Sequence, residues 1–116
     1  MNLYVCQIDL RQEAKALVFA NALDIWLTHL KNSGTIHSWQ LYRRKLNLAS
    51  DTFRDFELLI EVENLSQLDL AFRLSGQQND DIQDMYNAVH SLIASSDFGL
   101  FRPFPDPERS ERMALL

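Results

Sequence analysis

Cysteine, glycine and proline are scarce in this chain of 116 residues, which contains one, three and three of them. Because Cys6 is the single cysteine, we expect neither an internal disulfide framework nor a zinc knuckle. No apolar run approaches the roughly 18 residues that a membrane-spanning helix needs. Residues 1–5 lack the basic region and long apolar core of a secretory signal peptide. We therefore expect a soluble cytoplasmic protein.

An excess of positive charge is also missing, since 11 lysines and arginines face 16 acidic residues. The net charge of −5 argues against nucleic-acid binding, because phosphates require a basic face. The basic run at residues 43–45 is short and belongs to a predicted strand. An apolar content of 47% and this length indicate one globular domain with its own core.

The central stretch, residues 36–62, predicts two strands joined by a polar turn at residues 47–52. Its side chains alternate with the period of two that is typical of strands. One face is apolar up to its end at Arg43, and it carries Trp39, Leu41, Phe56, Leu58, Ile60 and Val62. The other face is mixed, because Tyr42 and Leu59 share it with charged side chains.

Helical periodicity appears on both sides of this hairpin. Residues 11–31 contain neither glycine nor proline, and an apolar stripe runs through them to a stop at residues 32–34. The stripe consists of Ala16, Phe19, Leu23, Trp26 and Leu30. After the hairpin, Ser66 and Asp69 have the spacing of a helix cap, and this short helix ends at residues 75–76. A second helix, capped near Asn79 or Asp80, has an apolar stripe that extends to Ile93.

Strands are predicted at the two ends of the domain, at residues 3–10 and 97–102. Pro103 and Pro105 end the last strand. We divide the chain into a domain at residues 1–104 and a C-terminal arm at residues 105–116. The arm has a helix-start signal at residues 106–107 and an apolar end, so we expect it to lie against the domain or a partner.

The resulting order, β-α-β-β-α-β, predicts an α+β ferredoxin-like fold. Both helices must cover one face of a four-stranded antiparallel sheet, because the crossovers are right-handed. The opposite face is too apolar for water and too charged for a dry core. A homodimer in which two sheets close into a barrel satisfies both groups of side chains, whereas an open-faced monomer is the alternative.

The predicted dimer interface consists of Tyr42, Arg44, Glu57 and Leu59. A lone buried charge at Arg44 would be costly, so we expect Arg44 to pair with Asp55 or Glu57.

The element order and face pattern resemble the dimeric α/β-barrel superfamily across nearly the whole chain. Three stretches, at residues 41–46, 53–56 and 102–109, are similar to a small uncharacterised bacterial family within it. The resemblance implies a dimer and, often, a cavity between sheet and helices in each subunit. It implies no catalytic residues, because the superfamily supports very different chemistry.

Three histidines, His29, His37 and His90, lie on separate predicted elements, and no two have the spacing of a local metal-ligand pair. We expect no metal and no cofactor. His37 and His90 are candidate general bases if they border the space between helices and sheet. Cys6 points into a packed layer and is expected to be an inert core residue.

Arg43 ends an apolar stripe, where a guanidinium can bind a carboxylate or can extend to the sheet edge. The candidate ligand-binding residues are Trp39, Arg43, Phe56, Met85, Tyr86 and His90. The alternative for the aromatic and methionine side chains is plain core packing.

Three functions remain open from the sequence. The first is binding of a small apolar molecule, with its acidic or carbonyl head near Arg43. The second is a cofactor-independent oxygenase or isomerase that uses the same cavity, with catalytic residues unknown. The third is a structural dimer without a ligand, which a cavity below the ordinary ligand-site volume would favour.

Overall fold

A computed structural model describes residues 1–45, 48, 50–77 and 79–105 of the chain. The elements follow in the order β1 (Asn2–Leu10), α1 (Ala16–Asn32), β2 (Ser38–Arg43), β3 (Phe56–Val62), α2 (Leu65–Ser75), α3 (Asp80–His90) and β4 (Ile93–Phe101). The four strands form one antiparallel sheet in the order β2-β3-β1-β4. The predicted ferredoxin-like α+β fold is confirmed.

The register of the central hairpin confirms the predicted alternation. Leu41 lies opposite Leu58, and Tyr42 lies opposite Glu57. Because side chains alternate between faces, the first pair faces the helices and the second faces the open side. Residues 47 and 49 of the predicted turn, and residue 46 just before it, lie outside the described residues.

Two helix starts differ from the predictions. The first helical stretch was predicted from residue 11, but α1 begins at Ala16, because Lys15 before it has extended backbone. The predicted cap of α2 at Ser66 is wrong, because the N-cap is Asn64, whose side chain accepts a hydrogen bond from the backbone N–H of Gln67 at 2.9 Å. The Gln67 side chain in turn accepts from the N–H of Glu63 at 2.6 Å. Together these bonds satisfy the N–H of Gln67 in the first turn and the N–H of Glu63 just before the cap, and the helix therefore starts before Ser66. The cap of α3 at Asn79 and the end of α1 before Gly34 (φ +75°) are confirmed.

Strand β4 begins earlier than predicted. Ile93 belongs to β4 rather than to the stripe of the preceding helix, and it pairs with Leu10. The N–H of Arg11 donates to the carbonyl of Leu92 at 2.9 Å, which extends the contact between β1 and β4 at this end. The long-range ladder therefore overrides the local helical period. The strand ends at Phe101, one residue before the predicted end at Arg102.

The hydrophobic core lies between the helices and one face of the sheet. Phe19, Leu27 and Val62 are its most completely buried large side chains. None of the helices in the described ranges is long and apolar enough to cross a membrane. Most of the predicted C-terminal arm, residues 106–116, lies outside the described residues.

Candidate functional site

An apolar cavity of about 230 Å³ lies between the sheet and the helices. Its sheet wall comes from side chains of β1 and β3 that face the helices, together with Ser96 and Phe98 of β4. The β1–β4 register creates this wall, because Cys6 lies opposite Phe98 and Ile8 lies opposite Ser96. The helix wall includes residues of all three helices, among them Trp26, Ala71 and Tyr86.

Aromatic rings line the cavity in two groups. Tyr86 meets Trp26 edge-on, with ring centroids 5.8 Å apart, and stacks on His90 at 3.9 Å. In the other group Tyr4 stacks on Phe98 and meets Phe72 edge-on, both at 5.8 Å. Offset-stacked and edge-to-face contacts are the favourable geometries for such rings.

The titratable groups with shifted pKa values at the cavity all favour their uncharged forms. Burial raises the pKa of the Cys6 thiol to about 12, so Cys6 stays protonated and unreactive. Burial, and secondarily the nearby Cys6, raises the pKa of the Tyr4 phenol. Burial lowers the pKa of the His90 imidazole. Although His90 as a residue is exposed, Tyr86 covers one face of its ring.

The structure brings two of the six predicted ligand-binding residues into this cavity, Tyr86 and His90. Trp39 and Met85 are partly buried against the core but do not line the cavity. Phe56 is buried against Phe19, with ring centroids 5.4 Å apart.

Arg43 lies away from the cavity. It is exposed, and its guanidinium carbon is 5.5 Å from the centroid of the Phe56 ring. Arg43 ends β2, and β2 and β4 are the two opposite edges of the sheet. The predicted anchor is therefore separated from the Ser96 and Phe98 side of the cavity by the width of the sheet.

Sequence reasoning missed several lining residues as site residues, including Ser75, Ser96 and Phe98. Ser96 preceded the predicted last strand, so its face could not be assigned. Alternation along β1 puts Tyr4 and Cys6 on one face of the strand, and in the structure this face borders the cavity. Their partners across the β1–β4 ladder depend on a long-range register that a single strand pattern does not contain.

The open sheet face carries the predicted interface residues Tyr42, Arg44, Glu57 and Leu59. The predicted ion pair is confirmed, because Arg44 Nη2 lies 2.9 Å from Asp55 Oδ1. Glu57 accepts a hydrogen bond from the Gln7 amide at 2.8 Å. A wide, open cleft of about 570 Å³ lies on this face, with Leu3, Val5, Leu59 and Phe101 among its lining.

A charged cluster at one end of this face was not predicted. Arg54 donates to Asp97 at 2.9 Å, to Asp9 at 3.0 Å and to Ser95 at 2.7 Å. The pKa of Asp9 is lowered, chiefly by a hydrogen bond from the backbone N–H of Asp55 and further by Arg54. These contacts hold the segment before β3 against the ends of β1 and β4.

Metal-binding geometry is not found in the part of the chain that the structure describes, where no three His, Cys, Asp or Glu side chains could hold an ion. His29 lies beside Trp26, with ring centroids 6.1 Å apart, and His37 Nδ1 lies 3.8 Å from Glu63 Oε1. Of the three histidines, only His90 lines the cavity.

Comparison with known proteins places the chain in a family. Residues 1–116 match DUF6614, described as a family of unknown function. The chain belongs to DUF6614. No curated protein sequence matches this DUF6614 member at a significant level.

Solved structures share the fold of this DUF6614 protein at low sequence identity. A dimeric ferredoxin-like protein of unknown function from Thermobifida fusca has a TM-score of 0.59 and 11% identity over 86% of this chain and 88% of that chain. A dimeric protein of unknown function with a ferredoxin-like fold, from Bacteroides fragilis, has a TM-score of 0.59 and 12% identity over 86% of this chain and 93% of that chain. SnoaB, a cofactor-independent oxygenase from Streptomyces nogalater, has a TM-score of 0.65 and 13% identity over 90% of this chain and 97% of that chain. These similarities support the resemblance drawn from the sequence and show the fold alone.

Proposed function

We propose that this DUF6614 protein binds a compact apolar molecule in the cavity between its sheet and helices. The observation that carries the proposal is the cavity itself, whose inner wall is formed by buried aliphatic side chains such as Leu23, Leu27 and Leu58. The side chains around an empty space lack packing contacts on that side, and a ligand of matching shape restores them. Arg43 lies outside the cavity and has no part in the proposal.

The volume limits the size of the ligand. Ordinary ligand sites measure about 300–1,000 Å³, so 230 Å³ is small for a drug-sized molecule. By the volume criterion set out from the sequence, this value favours the structural dimer without a ligand. An engineered apolar cavity of about 150 Å³ nevertheless binds benzene. A molecule of one or two rings therefore fits, and the structural dimer without a ligand is the alternative if no such molecule binds.

A fluorine-labelled probe tests the proposal directly. 1-Fluoronaphthalene, followed by ¹⁹F NMR, should show a broadened bound signal with the wild-type protein. Ala71→Leu places a larger side chain in the cavity lining and should abolish that signal. The matched control is Ala88→Leu, at an exposed helical position outside the lining, which should bind as wild type does. Equal binding by both variants would place the probe elsewhere, for example in the open cleft.

A native mass spectrum of the protein as purified provides an independent measurement. A reproducible excess mass, lost in Ala71→Leu and kept in Ala88→Leu, would support the proposal and deliver the ligand for identification. A mass without excess would show that no ligand is retained through purification.

Catalysis in the same cavity is a second candidate, favoured by His90. Its imidazole is stacked on Tyr86 at the cavity, and burial lowers its pKa, so it is neutral near pH 7 and able to accept a proton. SnoaB, which shares the fold, is a cofactor-independent oxygenase. Oxygen uptake with 1-naphthol as the test substrate should fall strongly in His90→Gln while 1-fluoronaphthalene still binds. An undiminished rate in that variant would remove His90 as the base.

We also propose that two copies pair through their open sheet faces. Leu3, Val5 and Leu59 present apolar surface there, and Phe101 is 58% exposed. Exposed apolar patches of this kind are typical of interaction sites, and two proteins with this fold are described as dimeric. The salt bridge between Arg44 and Asp55 would neutralise charge near the edge of the interface.

Sedimentation of matched variants tests the dimer. Leu59→Glu puts a charge in the middle of the open face and should convert a dimer into a monomer. Ile25→Glu makes the same kind of change at an exposed position of α1 and should remain dimeric. A wild-type protein that is monomeric at high micromolar concentration would refute the pairing.

A further inference from the structure

The cavity has an apolar end and a polar end. At the deep end, Leu23, Leu30 and Ile36 are each no more than 4% exposed. The other end is open to solvent, since Phe72 and Phe98 are more than half exposed and Ser96 is half-buried. This mouth lies along β4, an edge strand of the sheet, and no further strand in the described residues covers the opening.

Three polar residues of the lining, Ser75, His90 and Ser96, are partly or fully exposed, as the residues of this mouth are. Ser96 and His90 both offer a hydrogen-bond donor and an acceptor, because the hydroxyl rotates and the neutral imidazole has one nitrogen of each kind. The Ser75 hydroxyl donates to the carbonyl of Ala71 at 2.8 Å, so its oxygen is left to accept. This set matches a head group that both donates and accepts.

The described residues of the cavity wall carry no permanently charged side chain. Among the described residues that line the cavity there is no lysine, arginine, aspartate or glutamate. Arg43 cannot supply a counter-charge, because it lies on the opposite edge strand, over the ring of Phe56. Burial also holds Tyr4, Cys6 and His90 in their neutral forms near pH 7. A carboxylate in this cavity would therefore be desolvated without a charged partner.

We propose that the cavity selects an uncharged amphipathic ligand, a small ring system with one hydroxyl or carbonyl head, over the carboxylate of the same shape. The ring lies against the deep aliphatic wall, and the head lies at the mouth beside Ser96 and His90. The inference rests on the proposed function, since it assigns the ligand class of that same cavity. It replaces the acidic or carbonyl head expected near Arg43 with an uncharged one at the other edge of the sheet.

Two probes that differ only in the head test the selection. 2-Naphthol is uncharged at neutral pH and 2-naphthoate is a carboxylate, and each can be titrated against bound 1-fluoronaphthalene by ¹⁹F NMR. We expect 2-naphthol to displace the probe with at least about tenfold higher affinity, because the carboxylate loses its hydration without compensation. Ser96→Lys adds a cation at the mouth and should reduce or reverse this preference. Ala94→Lys adds the same charge on β4 outside the lining and should not change it.

The outcomes separate the two proposals. If 1-fluoronaphthalene itself does not bind, the cavity is not a ligand site and both proposals fail. If it binds but 2-naphthoate displaces it as well as 2-naphthol does, the binding function stands and the neutral-head inference is wrong. An unchanged preference in folded Ser96→Lys would show that the head does not lie at the mouth. Circular dichroism checks folding, and His90→Lys supplies the cation from α3 if Ser96→Lys does not fold.

Discussion

Replacing Ala71 by leucine should stabilise the ligand-free protein, because the new side chain occupies empty space. Ala71 is 6% exposed and lines the cavity from α2. In another protein, truncating a leucine side chain in a packed core left a cavity of about 150 Å³. The cavity of 230 Å³ therefore has room for the opposite change.

The expected gain follows from the added carbons. Alanine to leucine adds three carbon atoms, and at about 0.8 kcal/mol per buried methylene this contributes about 2.4 kcal/mol. Ordering the leucine side chain costs about 0.5–1 kcal/mol. The free energy of unfolding should rise by about 1.5 kcal/mol, which corresponds to about 5 °C in Tm for a domain of this size.

Urea unfolding followed by circular dichroism measures the change, on protein stripped of ligand by unfolding and refolding. Ala88→Leu is the control, since it makes the same change in helix propensity at an exposed position and should alter stability by less than about 0.5 kcal/mol. If Ala71→Leu is no more stable than Ala88→Leu, the space beneath α2 is not empty and the reasoning from the cavity fails.

Two further perturbations test other parts of the structure. Burial lowers the pKa of His90 from its ordinary value of 6.5, so the native state favours the neutral imidazole. The contribution of the neutral imidazole to the free energy of unfolding is therefore fully present above pH 6.5 and is lost as the pH falls through the folded pKa. His90→Gln should flatten that part of a plot of unfolding free energy against pH, and an unchanged slope would refute the assignment. Gly34→Ala should destabilise by about 1 kcal/mol, because an L side chain is strained at φ +75°. Gly76→Ala is the control, because Gly76 has φ −85° and a new Cβ there would make only ordinary contacts, so the change should be neutral or stabilising. Equal effects of the two substitutions on the free energy of unfolding in urea would contradict the argument from backbone strain at Gly34.

The sequence predicted the elements best where a simple period governs them. Trp39 and Ile60 lie opposite each other on the face to which alternation assigned both, because a one-residue slip would move the apolar side chains of one strand to the open face. The cap of α2 was misplaced because asparagine and serine are both common cap residues and Asn64 stands two residues before Ser66. The side-chain oxygen of Asn64 accepts the capping hydrogen bond, from the N–H of Gln67. The early start of β4 at Ile93 was missed because an apolar residue fits both periods.

The sequence by itself determined most of the helices and strands and their order along the chain, since a period of two or of 3.6 is a local property that a single strand or helix carries. It also determined that Tyr86 and His90 share a helix face one turn apart. Only the tertiary structure decided where the cavity lies, because Ser96 and Phe98 reach it through pairing with β1, more than 80 residues away in the chain. The same sheet order placed Arg43 on the far edge. The physical reason is that strand order and register are set by packing between distant segments.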